Sequence, residues 1–109
     1  MRVLLFCNEY LFVSAIIDLL SKEKDLTLLN LTEDRTELTR KIADFQPDVI
    51  ITDDVYSTGE KLDFYELLRT YMGLKILVVH AEQNSINLFK CRKVPVTRSD
   101  DLLHAIYSD

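Results

Sequence analysis

Three apolar runs in this sequence end in side chains that could do chemistry. Val3 to Phe6 leads into Cys7, Asn8 and Glu9, the run in "DVIIT" delivers Asp53 and Asp54, and Lys75 to Val79 is followed at once by His80. In an open α/β sheet, ligands and chemistry sit outside the carboxyl ends of the strands, so a thiol, an amide and carboxylates gathered there are a site or the remains of one. Cys7 becomes a redox-sensitive thiol if His80 lowers its pKa, and together with Asp53 these two would form a proton-sensitive trio. The preferred reading is plainer: an inert buried thiol and a packed or solvated imidazole.

The remaining candidates carry less. Cys91 and His104 are isolated, and two cysteines so far apart do not make a zinc site. Lys90 to Lys93, "KCRK", forms with Arg98 a local basic patch, ordinarily a solvated face and otherwise a surface that steers an acidic partner. "YSTGEK" has one glycine and small polar residues but lacks the Gly-Lys-Ser/Thr ending of a phosphate-binding loop.

The elements that must position these residues come from a chain of 109 residues, 48% hydrophobic and 28% charged, with two glycines and two prolines. This composition fits one globular domain over residues 1–109. A net charge of −5 disfavours nucleic acid as a direct partner, because that affinity rests on clustered Lys and Arg. No run reaches the roughly 18 apolar residues of a membrane span, and no signal peptide is expected. A cytoplasmic protein with reduced cysteines is expected.

The periodicity predicts strands at Val3 to Phe6, Leu26 to Thr32, "DVIIT" and Lys75 to Val79. Helices are expected at Tyr10 to Lys24, with Phe12, Ala15, Ile16, Leu19 and Leu20 on the buried stripe and Val13 and Ile17 widening it, and in "EDRTELTRKIADF", capped by Thr32. A third is expected in "LDFYELLRTYM", with Asp63 near its start and Gly73 past its end. After His80, "AEQNSINLFKCR" reads as a short, irregular fourth helix, "KVPVT" as a fifth strand and "SDDLLHAIY" as a last helix capped by Ser99. "INLFK" is the alternative fifth strand, rejected because "AEQNS" is too short for a parallel crossover. The result is a doubly wound α/β fold: a five-stranded parallel sheet of order 2-1-3-4-5 with helices on both faces.

With "RVLLFCNEYLF", "FQPDVIITD", "KILVVHA" and "DDLLHAI" in place, the chain resembles the receiver domain of bacterial response regulators over nearly its whole length. That resemblance implies a flavodoxin-like fold in which an acidic pair after the first strand holds Mg²⁺. It further implies an Asp after the third strand that accepts phosphate, a Thr or Ser after the fourth, and a Lys after the fifth. Asp53 matches the phosphoacceptor position. Cys7 and Asn8 replace the acidic pair, with Glu9 one step beyond, His80 replaces the hydroxyl, and Arg98 occupies or neighbours the Lys position, or Lys90 does in the alternative alignment.

Mg²⁺ wants hard carboxylate oxygens, so the chain resembles a degenerate, or pseudo-, receiver. The expectation is a signalling module that is not an enzyme, needs no cofactor and works by phosphorylation-independent contact with a protein such as a signalling kinase or output protein. The alternative is an atypical receiver still phosphorylated on Asp53 by a partner histidine kinase, with Glu9 serving Mg²⁺. The resemblance also implies a homodimer through the last helix, although Leu102, Leu103 and Ile106 are expected to be taken up by the core.

Overall fold

A computed structural model describes residues 1–7, 10–32, 37–53, 63–83 and 85–108, the side chains of 10–12 and 81 excepted. Strand β1 (Arg2–Phe6) is followed by helix α1 (Tyr10–Leu20), β2 (Thr27–Asn30), α2 (Leu38–Phe45), β3 (Val49–Thr52), α3 (Phe64–Thr70) and β4 (Lys75–His80). A 3₁₀ turn at Ala81–Gln83 then leads into β5 (Ser85–Lys90), and α4 (Ser99–Tyr107) ends the chain. The five strands form one sheet in the order β2-β1-β3-β4-β5.

The first four strands pair in parallel, with Leu4 beside Leu29 and Ile50, and Ile50 beside Ile76. Their near-continuous apolar character follows from burial on both faces. On one face Leu4, Phe6, Ile50, Ile76 and Val78 meet Leu38 and Ile42 of α2 and Leu67 of α3. On the other, Val3, Leu5, Cys7 and Ile51 meet Val13 of α1, with Ile16, Ile17 and Leu20 packed around them.

Among the described side chains of α1 the inward stripe is Val13, Ile16, Ile17 and Leu20, while the Phe12 side chain lies outside those described. Both sets satisfy helical spacing, but Ala15 and Leu19 face water. A helix that is apolar on most sides leaves the choice of face to the sheet it meets.

Turns are set by local chemistry. Gln46 takes a left-handed conformation (φ 51°) to end α2 ahead of Pro47, its N–H bonding the Ile42 carbonyl at 2.9 Å. Asp63 caps α3 by accepting from the Glu66 N–H at 3.1 Å. The turn after α3 is closed by the Leu74 N–H on the Tyr71 carbonyl, with Gly73 at φ 83°, a conformation that favours glycine. The described part of α2 has Glu37 at its N-cap, and the cap expected from Thr32 falls on residues outside those described. The Thr32 hydroxyl accepts the Cys7 N–H at 3.3 Å, tying the end of β1 to the chain beyond β2. The beginning of the expected second helix, residues 33–36, lies outside the described residues.

The C-terminal third departs from the parallel scheme. The fifth strand is Ser85–Lys90, and it runs antiparallel to β4, pairing His80 with Ser85 and Lys75 with Lys90. Neither the fourth helix nor a strand in "KVPVT" forms; the former is reduced to the 3₁₀ turn, and residues 91–96 have no regular structure. A parallel pair needs a crossover of about a dozen residues, whereas the four-residue connection between β4 and β5 is ample for a hairpin. Pro95 is thereby removed from any strand, where its missing N–H would have cost a ladder bond.

Helix α4 occurs where expected but buries none of its residues, so Leu102, Leu103 and Ile106 do not complete the core. Its N-cap is Arg98 rather than Ser99, and the capping acceptor comes from inside the helix. The Asp101 carboxylate accepts from the Thr97 and Arg98 N–H groups, both at 3.0 Å, and from the Thr97 hydroxyl. These bonds, led by the Thr97 N–H, hold the Asp101 carboxyl below its ordinary pKa.

A carboxylate with a depressed folded-state pKa contributes fully above its unfolded value and loses that contribution as pH falls through the folded one. Acidification should therefore fray the first turn of α4. Asp101→Asn should do the same at neutral pH, with roughly fivefold faster amide exchange at residues 99–102. Unchanged exchange in that variant would show that the cap carries no weight.

Candidate functional site

Strand direction decides which candidate residues meet. Phe6 pairs with Thr52 and Thr52 with Val78. One residue further, Cys7 and Asp53 leave adjacent strands at the carboxyl rim of the sheet, where neighbouring strands lie about 4.8 Å apart. Val79 is the next position along on β4.

Cys7 is fully buried. It belongs to the α1-side apolar cluster, among Val3, Leu5, Val13 and Ile51. Asp53 is half-buried, and its Oδ1 is shielded from water. Thr52, which stands beside Phe6 and Val78, is the one buried polar side chain among the described residues, and its hydroxyl donates to the Asp53 carbonyl at 3.3 Å. At the rim, then, a carboxylate and a thiol follow adjacent strands, the thiol in an apolar setting.

His80 is half-buried at the end of β4. Alternation along the strand puts it on the side of Ile76 and Val78, which face α2 and α3, whereas Cys7 faces α1. The imidazole and the thiol are therefore on opposite faces of the sheet. This arrangement removes the basis for a Cys7 thiol activated by His80.

The residues offered as a cation replacing the family's Lys are placed elsewhere. Because β5 runs backwards, Ser85 stands beside His80 at the rim and Lys90 stands beside Lys75 at the amino end, five residues or about 17 Å along the strand. Arg98 is exposed at the start of α4, after the segment that leaves β5 from that amino end. Asn8, Glu9 and Asp54 lie outside the described residues, as does "VYSTGEK".

The described donors at the rim do not suit Mg²⁺. A hard cation needs several oxygen ligands, and here Asp53 supplies the carboxylate while its neighbour Cys7 supplies sulfur in an apolar setting. Among the described residues no group of three or more His, Cys, Asp or Glu is placed to hold a metal ion. Thr32 is the feature of the rim that sequence reasoning missed. Its one sequence signal was a hydroxyl at the end of the second apolar run, which reads equally well as a helix cap.

Among the described residues no helix is long and apolar enough to cross a membrane. Comparison of the chain with protein-family models, with curated proteins and with solved structures found no match in any of the three.

Proposed function

We propose that this chain is a pseudo-receiver, a doubly wound, flavodoxin-like signalling domain in which the last strand is reversed. It acts through phosphorylation-independent contact with a protein partner, such as a signalling kinase or an output protein, in the cytoplasm. One observation carries the reading: a thiol buried in the apolar cluster occupies the position beside Asp53 where a working receiver needs a metal-binding carboxylate. Phosphoryl transfer to a carboxylate depends on cations that screen the charge of both nucleophile and phosphate. The reversal of β5 supports the same reading, since it takes Lys90 to the far end of the sheet.

On this reading the chain has no catalytic activity and needs no cofactor. Asp53 is an inherited strand-end carboxylate. The test is intact mass after incubation with acetyl phosphate and Mg²⁺, for the wild type and for Asp53→Asn, beside an ordinary receiver as a positive control. The expected result is no adduct on either form under conditions that label the control. A phosphoryl adduct on the wild type alone would overturn the proposal and establish the alternative, a receiver phosphorylated on Asp53.

A further inference from the structure

The sheet has two edges, and they differ. Strand β2 is four residues long, and its apolar Leu28 and Leu29 pack against the core clusters of the two faces. Strand β5 forms the other edge, six residues long and exposed throughout. It pairs with β4 in unbroken register from Ser85 to Lys90, so no bulge turns it away from solvent. Its one charge, Lys90, stands at the end, and it contains no proline. Edge strands are ordinarily guarded by such devices, because their outward N–H and C=O groups are a template for a further strand.

The side chains of β5 specify what that strand would be. Residues directly opposite in an antiparallel pair point to the same side, so Ile86 and Leu88 extend the α1-side face outward from Val79 and Leu77. They are 61% and 59% exposed, whereas Phe89 on the other side meets Phe64 of α3 at a centroid distance of 6.1 Å. An added strand would therefore bring apolar residues at two alternate positions. The apolar pair gives way to charge. Lys90 stands opposite Lys75 on that same side, with Arg92 and Lys93 exposed just beyond. Like charges directly opposite destabilise a ladder, and a carboxylate beside Lys90 would offset them. Strand β5 itself contains no carboxylate, so the same strand of a second copy would leave these cations unanswered.

We propose that β5 is a docking edge for an extended segment of a partner protein, which adds to it as a sixth strand. The segment runs antiparallel to β5, the slightly more stable pairing per residue. It carries apolar residues beside Leu88 and Ile86 and acidic residues at its amino end, beside Lys90 and near Arg92. Main-chain bonds supply the affinity of such a complex, and the alternate side chains supply its selectivity. The inference rests on the reading of the chain as a protein-contact module and names the surface that makes the contact. The two fail separately. A phosphoryl adduct on Asp53 would overturn the pseudo-receiver and leave the β5 edge as it is, while a β5 edge that binds nothing would leave the phosphorylation result untouched.

The probe is the fluorescein-labelled peptide Glu-Asp-Thr-Val-Thr-Val-Thr, capped at both ends and titrated with the full chain. Polarisation should show saturable binding with a Kd of about 1 mM or tighter. Amide exchange should slow at alternate residues of β5 and stay unchanged in β2. A peptide with the same side chains and a fully N-methylated backbone should not bind. Lysines in place of its two acidic residues should weaken binding at least about fivefold, and Lys90→Glu should narrow that gap with an unchanged circular dichroism spectrum. Equal binding of the N-methylated peptide would overturn strand addition, since only side-chain contact would then be at work. So would absence of binding at millimolar chain, protection confined to β2, or β5 amides already protected in the free chain by self-association.

Discussion

Cys7→Asp should destabilise the fold by about 3 kcal/mol or more at neutral pH, and Mg²⁺ should not restore the loss. The substitution puts a carboxylate of nearly the same size into a position with no exposure, among Val3, Leu5, Val13 and Ile51. A buried charge without a partner costs far more than a buried neutral group. Such a carboxyl has its folded-state pKa raised, so the variant comes closest to the wild type below the ordinary Asp range and falls away as pH rises through the raised value. Urea denaturation at mildly acidic and neutral pH, with and without Mg²⁺, reads both effects. A variant that regains wild-type stability on adding Mg²⁺ would mean that the rim needs only one carboxylate to bind the metal, and the degenerate reading would fail.

Phe6→Ala should cost about 3–5 kcal/mol, a large share of the roughly 5–15 kcal/mol that holds a domain together. Phe6 is 1% exposed on the central strand, and it links β1 to α2 and α3 through a cluster that includes Leu38, Ile42 and Leu67. Phe89→Ala provides the comparison. Its ring is on the edge strand, 39% exposed, and among the described residues makes one aromatic contact, with Phe64. That loss should be nearer 1 kcal/mol. Urea midpoints of the two variants would decide the matter, and equal losses would mean that the apolar weight of the molecule is not centred on β1.

The sequence was legible where burial on both faces imposes a simple pattern. The runs at Leu4, Ile50 and Ile76 could be only interior strands, and their order followed from alternation with helices. The adjacency of Cys7 and Asp53 followed in turn, because both end such runs. Two things were not legible. Apolar spacing in α4 showed that Leu102, Leu103 and Ile106 share a face but not what covers it, and the assumption that the core does so was wrong for this chain. The direction of β5 was hidden as well, since "SINLFK" reads the same in either sense. On that direction alone depended where Lys90 and the segment leading to Arg98 would go.

The reversal of β5 also fixes where the polypeptide enters and leaves the sheet. Met1, whose amino group bonds the Asp25 carbonyl, begins the chain beside the start of β2, and Lys90 leaves beside Lys75 at that same end. A tag, a surface tether or a fused reporter attached at Met1 would therefore hang from the pole opposite Cys7 and Asp53. Immobilised through that end, the domain would present its rim to solution unobstructed, the orientation needed to fish for whatever recognises it.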